Sequence, residues 1–360
     1  MDFSYTEAQH DLAGLARRIL TDWVERHPGR ELGGFDPELW RSMATAGLLD
    51  AALPAEAGGG GFGLLEQCSV LIEIGRTVAP VPYLASVTAT ASALARFGTP
   101  SHVERWVLPV SRGEAALAVA LADEGAPAPF TGQRSRDGWQ VSGTQTAVLD
   151  GAHAAGFLCE VATDEGDVLV VVPAEAPGVT VSAQRTVDGD DAALVELHEV
   201  AVATDDVLGS GAATLTRQHA TVGLCALQLG VVERALELTA EYAREREQFD
   251  KPIGSFQAVR QRLADAYIDV EAVRLTLWQA AWRLSEGLPA GEEVATAKFW
   301  AADAGHRVAH TAVHLHGGVG IDTDSPTHRY FAAAKRAEFA LGGATSQLRA
   351  LGTLLATEQA

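Results

Sequence analysis

Residues Arg244–Asp265 read REREQFDKPIGSFQAVRQRLAD, and the reading of this stretch decides the fold. Charged helix formers run into it and out of it, but its centre holds Pro252 and Gly254, which interrupt a helix. The stretch is a sharp turn between two helices. Arg246 offers a planar guanidinium fork of the kind that holds a pyrophosphate, and Phe249 an aromatic face suited to a nucleotide. An arginine-rich helix end that only meets solvent is the plainer alternative.

Outward from this turn the helical period holds on both sides. Apolar residues recur at three and four over about 214–246, 255–287, 291–315 and 327–356, and four long helices with short connections imply a bundle. Before the bundle, from about Leu117, the period drops to two. LAVALA, GWQVSGTQTAVLDG, AAGFLCEVAT, DVLVVVPA, GVTVSAQR and ALVELHEVAV are short, β-branched and separated by Gly, Asp and Pro turns, as in a compact antiparallel barrel or sandwich. Helical period governs the first third as well. Leu12, Leu15, Ala16, Ile19, Leu20 and Trp23 share one face behind a Thr6 cap, and Asp36, Pro37 and Gly47 bracket a second helix.

With 360 residues, 47% of them apolar, the chain can bury a large core and form two or three domains. A formal charge of -20 and a pI near 4.9 argue against nucleic acid or an anionic membrane as the main partner, because both require a basic surface. A nucleotide cofactor remains compatible, since local arginines and helix N-termini hold phosphate whatever the global charge. Cys68, Cys159 and Cys225 are far apart and match no metal spacing, which fits a reducing cytoplasm without disulfides. The N-terminus reads as an amphipathic helix rather than a signal peptide, and no apolar run reaches the roughly 18 residues of a membrane span.

A second unusual segment is HGGVG, His316–Gly320. Paired glycines between helices allow close backbone approach to a ligand and expose peptide N–H groups to an anion, although they more often only make a turn.

The two segments together resemble the signatures of the acyl-CoA dehydrogenase family. REQFDKPIGSFQ is similar to R-x-Q-F-G-x-P-I-x-x-F-Q, and LHGGVGIDTDSPTHRYFAAAKR to Q-x-x-G-G-x-G followed by R and D-A-K. The resemblance, with the domain order, covers essentially the whole chain. It implies an α+β fold: an N-terminal α-helical domain over 1–115, a middle antiparallel β-barrel domain over 116–208, and a C-terminal four-helix bundle over 209–360 that carries the FAD site and mediates assembly. It also implies that Arg246, Phe249 and Gln257, with His314 in place of the family's glutamine and Gly317 and Gly318, face the ADP half of an FAD bound mainly by the neighbouring subunit. Thr345 and Gln347 match residues that hold FAD beside the catalytic loop; a helix cap and a packing contact are the alternative.

Members of this family remove a proton from Cα while hydride leaves Cβ for flavin N5, so a carboxylate must reach Cα. In many members it lies in Y-E-G-T-S-Q, which superimposes on Gly342–Gln347 and places Gly343 at the acid. Others supply it from the first bundle helix, but nothing acidic occurs between Asp206 and Glu233, nor between Glu338 and Glu358. Glu233 and Glu237 lie one or two turns beyond that place, among alternating charges that read as a solvated face. The residues at the flavin ring are replaced too. The family's L-T-E-P-G-x-G-S-D aligns with LADEGAPAP, putting Ala122 at the threonine, and its W-I-T strand aligns with Ala147–Leu149.

No catalytic residue is therefore assigned. The expected function is that of a base-lacking subunit in a heteromeric, α2β2 acyl-CoA dehydrogenase, similar to bacterial enzymes that degrade steroid side chains. It would complete the FAD site of a paralogous catalytic partner acting on a bulky acyl-CoA, with an electron-transferring flavoprotein as acceptor. A stand-alone homotetramer with an atypical base and a non-redox acyl-CoA-binding module are the alternatives.

Overall fold

The structure, a computed structural model, describes residues 4–27, 33–136, 138–189, 191–209 and 211–358. The first helices form where the caps predict. In α1 (Glu7–Arg26) the Thr6 hydroxyl accepts from the Gln9 N–H while Gln9 returns a bond to the Thr6 N–H, a reciprocal capping box. In α2 (Pro37–Thr45) one Asp36 oxygen caps two N–H groups, and the other accepts from the Trp23 indole, which ties α1 to α2. Then come α3 (Leu64–Thr77) and a run of short pieces: π-helical Leu84–Ala91, α4 (Ser92–Phe97), α5 (Pro100–His102), π-helical Val103–Val107 and α6 (Leu108–Ser111).

The β region is β1 (Leu117–Ala120), β2 (Phe130–Ser135), β3 (Gly138–Val148), β4 (Gly156–Thr163), β5 (Gly166–Pro173), β6 (Val179–Arg185), β7 (Asp191–Ala203) and β8 (Val207–Leu208). The strand order is β6-β7-β3-β2-β4-β5-β8, with β1 also on β4. Most pairs are antiparallel, as expected, but β1 and β2 both run parallel to β4, β1 beside Gly156–Cys159 and β2 beside Val161–Ala162. The chain thus leaves β4 at Leu121 and rejoins it at Phe130, so the loop between them crosses over Glu160. β2 has no counterpart in the sequence reading. Its residues FTGQRS are mostly polar and exposed, and only Phe130 is buried, so alternation gives no signal.

The bundle comprises α7 (Ala212–Glu245), α8 (Gln257–Ser285), α9 (Gly291–His316), α10 (Pro326–Phe339) and α11 (Ala344–Glu358), with a small ladder β9 (Glu247–Gln248) and β10 (Lys251–Pro252) between α7 and α8. The helix expected over 327–356 is two helices. It breaks where Leu341 and Gly342 take φ of 58° and 91°, left-handed values that end a right-handed helix.

The helical regions meet where α3 crosses α7 with backbones almost touching. A Cβ added to Gly75 would stand 2.0 Å from the Leu227 carbonyl oxygen, and one added to Gly230 would stand 2.0 Å from that of Ile72. Two glycines, one on each helix, permit the crossing. One hydrophobic core runs through it, from Leu20, Trp40 and Leu71 to Leu224, Leu277 and Val308.

Candidate functional site

The turn that decides the fold is built under strain. The Arg246 N–H still bonds to Tyr242 O, and the Ile253 N–H returns to Arg246 O, each at 2.8 Å. Lys251 pairs with Gln248 and Pro252 with Glu247, leaving Phe249 and Asp250 as the two residues of a tight hairpin turn. Their φ values are 54° and 61°. Such a turn needs left-handed backbone at both positions, which glycine or asparagine adopts readily and phenylalanine does not. Phe249 is nonetheless 86% exposed, its ring meeting Phe256 edge-on at 6.3 Å, over which the Lys251 ammonium lies at 4.6 Å. A strained turn that displays an aromatic ring to water is poorly explained by the chain's own packing. Arg246 and Gln257 are exposed beside it.

The paired glycines sit at the same end of the bundle. The His316 ring, the last of α9, stacks on Tyr242 at 4.4 Å, four residues before Arg246, and its Nδ1 bonds to Ala312 O at 2.8 Å. This stack joins the end of α9 to the end of α7. Arg246, Phe249 and Gln257 are thereby brought to the same end as His314, Gly317 and Gly318, all exposed. A Cβ added to Gly317 or Gly318 would meet nothing within 4 Å, so the chain's own packing does not demand glycine at Gly318. Val319 and Ile321 are also exposed here. Tyr242 and His316, which make the junction, carry no sequence signal beyond being aromatic on helices.

Thr345 and Gln347 lie elsewhere. Lys298 of α9, fully buried, donates to the Ala337 and Glu338 carbonyls at the end of α10, just before the break. From Lys298 to His316 α9 rises about 27 Å at ~1.5 Å per residue. Gln347 is buried and its amide donates to Leu341 O at 3.1 Å, bracing the left-handed turn, while Thr345 is exposed in the first turn of α11. Leu341 O also receives the Glu124 N–H at 3.4 Å, so the break rests on the 121–129 loop.

That loop is closed off by an ion pair. Arg217 on α7 donates to both oxygens of Glu160 on β4 and to Ala122 O, and Glu160 Oε2 accepts the Ala122 N–H at 2.9 Å. Both backbone polar groups of Ala122 are thus already bonded within the chain. A cleft of about 1250 Å³ opens beside it, with Asp123, Glu124, Glu160 and Asp167 in its walls against Arg217 and Arg349. Ala147 is exposed with φ of 53°, its N–H bonded to Gln184 Oε1 at 2.9 Å.

Leu149 and Asp150 line a separate cavity of about 80 Å³, largely apolar, between Ile74, Leu84, Leu224 and Ala333. Two carboxylates that the sequence reading did not single out, Asp150 and Asp188, also border it. Asp188 accepts from the Thr186 hydroxyl at 2.5 Å and from Arg336 at 3.4 Å. Gly343 borders neither the cleft nor this cavity.

Glu233 and Glu237 do not form a solvated face. Arg76 of α3 bonds Glu233 at 2.9 Å and Glu237 at 2.8 Å, and Arg274 of α8 meets the other Glu233 oxygen at 2.6 Å. Their alternating charges knit three helices together, a long-range pairing invisible in a local pattern. Burial works to raise the pKa of Glu237, but its bonds from Arg76 and Arg234 outweigh that and hold it below the usual carboxylate value. A carboxylate held ionised by guanidinium groups is a poor proton acceptor. These side chains border an outer groove between α7 and α8, not the apolar cavity.

Residues 6–114 match the acyl-CoA dehydrogenase N-terminal domain and residues 209–354 the acyl-CoA dehydrogenase C-terminal domain. The chain belongs to the acyl-CoA dehydrogenase family. It is 50% identical to acyl-CoA dehydrogenase FadE27 of Mycobacterium tuberculosis, over 99% of each chain. A chain of the ChsE4–ChsE5 complex from the same organism superimposes with a TM-score of 0.94 at 50% identity, covering 99% of both. A chain of the Tcur3481–Tcur3483 steroid ACAD superimposes with 0.90 at 40% identity, over 98% of this chain and 99% of that one. The acyl-CoA dehydrogenase fold, with helical, β-sheet and helical parts in order, and membership among its oxidoreductases are thereby established. Among the described residues no helix is long and apolar enough to cross a membrane.

Proposed function

We propose that this chain is the non-catalytic subunit of a heteromeric acyl-CoA dehydrogenase. Its Arg246 end completes the FAD site of a paralogous partner, and the partner supplies the base. Bound FAD supplies the hydride acceptor. The observation that carries this reading is the contrast between the two halves of the expected cofactor site. At the nucleotide end Arg246, Phe249 and the paired glycines stand exposed, with open space over the glycines. At the ring end the Ala122 N–H and C=O are already bonded to Glu160 and Arg217, and carboxylates outnumber arginines among the charged residues of the adjoining cleft.

The fit to FAD therefore differs between the halves. A planar cation and an aromatic face suit a pyrophosphate and an adenine. At the ring end the one buried acid, Glu160, and its partner Arg217 already satisfy each other and the Ala122 backbone, and a ring whose N and O atoms found no free partner would lose about 1–3 kcal/mol for each one left unsatisfied. Within one chain the site is incomplete. Two of the solved relatives are complexes named for two different proteins, and one of these is a steroid ACAD, which supports an α2β2 assembly with a bulky, steroid-like acyl-CoA as substrate. An electron-transferring flavoprotein is the acceptor that the family resemblance supplies.

The test is purification of this chain alone and together with a paralogue that retains the glutamate and the W-I-T strand. The chain alone is expected to be colourless and inactive, and the pair to carry one FAD per two chains. A yellow homomer with one FAD per chain that oxidises an acyl-CoA unaided would overturn the reading.

A further inference from the structure

Along α9, before the nucleotide-facing end, stand His306, His310 and His314, spaced four apart and all exposed. This spacing sets them on one helix face, one turn above another. The His306 and His310 rings already face each other with centroids 4.3 Å apart and planes inclined at 37°. Each is oriented from behind. The His306 Nδ1 lies 3.1–3.2 Å from the Glu338 carboxylate, and the edge of His310 is set by Phe331 at 5.3 Å and 86°. A carboxylate on Nδ1 favours the tautomer with its proton there, leaving the lone pair on Nε2. Lys335 Nζ also lies 3.0 Å from the same Nδ1 and 2.5 Å from Glu338 Oε2, and only with its N–H groups turned to the carboxylate does it leave the Nδ1–H to Glu338.

The space in front is open and its charge is compensated. A hollow of about 470 Å³ between α8 and α9 is bordered by these three histidines, by Asp265 and Asp269, and by Arg262 and Arg307. Arg307 is bound by Asp269 at 2.6 Å and also by Asp303, and the whole chain carries a formal charge of -20, which draws cations.

We propose that His306 and His310 chelate one divalent transition-metal ion through their Nε2 atoms, with Glu338 as the outer carboxylate and water completing the coordination. Imidazole pairs at i and i+4 suit Zn²⁺, Ni²⁺ or Cu²⁺, whereas Mg²⁺ and Ca²⁺ require oxygen ligands. Among the described residues no three protein ligands are grouped for a metal, so the ion is exchangeable rather than structural. It sits one turn from His314. Metal binding would therefore stiffen the end of α9 that bears the nucleotide-facing residues, a role independent of whether the chain is catalytic.

The experiment is calorimetric titration of the full chain, without an affinity tag, with Zn²⁺, and electron paramagnetic resonance with Cu²⁺. One Zn²⁺ per chain and a two-nitrogen Cu²⁺ signal are expected. His306→Ala and His310→Ala should each weaken binding at least ~10-fold, and Glu338→Ala about 10-fold through the outer shell. His219→Ala, on α7, should leave it unchanged. The proposal is overturned if no Zn²⁺ binds at stoichiometric ratio, if the His306→Ala/His310→Ala double variant binds as the parent does, or if Mg²⁺ competes equally.

Discussion

Arg217 grips Glu160 across the boundary between the bundle and the sheet, and the same guanidinium holds Ala122 O. This pair joins α7 to β4, with about 22% of Arg217 and 5% of Glu160 still reached by solvent. Removing one partner of a buried pair leaves the other charge uncompensated. Arg217→Ala is therefore expected to lower stability by about 3 kcal/mol, at the low end of such losses because Arg217 is partly wet. Replacing both with apolar residues, Arg217→Met and Glu160→Leu, should recover most of the loss. Urea denaturation of the three proteins decides it. A single variant within experimental error of the parent would mean that the pair does not hold the loop.

The end of the bundle proposed to face the nucleotide makes the opposite prediction, a loss seen only in the assembled pair. Charge-assisted hydrogen bonds contribute about 1.5–3 kcal/mol, so Arg246→Ala should weaken FAD retention by the heteromer roughly 10- to 100-fold. Phe249→Gly should relieve the strained turn and yet weaken retention as well. Flavin per pair after gel filtration measures both. Activity per bound flavin should stay near that of the parent, because in the proposed arrangement neither residue reaches the reacting carbons. Unchanged flavin content in both variants would remove this end of the bundle from the cofactor site.

Much of this was legible in the sequence where the signal is local. Thr6, Asp36 and Pro37 marked helix starts through hydrogen bonds that span three residues, and the strand periodicity survived wherever one face was buried. Long-range pairings were not legible. The ladder of Glu233, Glu237, Arg76 and Arg274 resembles a solvated face until α3 is laid against α7, 157 residues apart in the case of Arg76 and Glu233. The break at Leu341 was hidden because apolar residues keep a helical spacing across it, and what ends the helix is backbone conformation, Gln347 and Lys298. The anchoring of the 121–129 loop could not be foreseen either. The resemblance aligned Ala122 with a threonine, but the sequence did not show that Glu160 and Arg217 bond both backbone groups of Ala122.

Gly343 marks the limit of reading function by alignment. A side chain there would be accommodated, since an added Cβ stands 3.6 Å from Glu338 O and 3.9 Å from the Phe339 ring, both ordinary contacts. It borders neither the cleft nor the apolar cavity. Placing an acid there by Gly343→Glu is therefore expected to give a folded protein that still reduces no dye with any acyl-CoA when assayed alone. Appreciable turnover by that variant would show that a base was all this chain lacked.

Lys298 supplies a test by pH. Burial pushes its pKa down to about 8, against smaller opposing effects of Cys225, Asp123 and Glu338. In the unfolded chain a lysine titrates near 10.4. Between these values the unfolded state binds the extra proton, so stability rises with pH through this window, and the cost of burying a cation is fully felt only below about 8. Lys298→Met removes the titration and also the donor to the Ala337 and Glu338 carbonyls, so it should be less stable than the parent at high pH, where the neutral amine still donates. The parent's stability relative to Lys298→Met should therefore increase between pH 7.5 and 10 by an amount on the order of 1–3 kcal/mol. Denaturant midpoints of both proteins across that range give the difference directly, with other titrating groups cancelling. A flat difference would mean that Lys298 keeps its ordinary pKa in the folded chain, and that α9 bears a charged, hydrated amine against the end of α10.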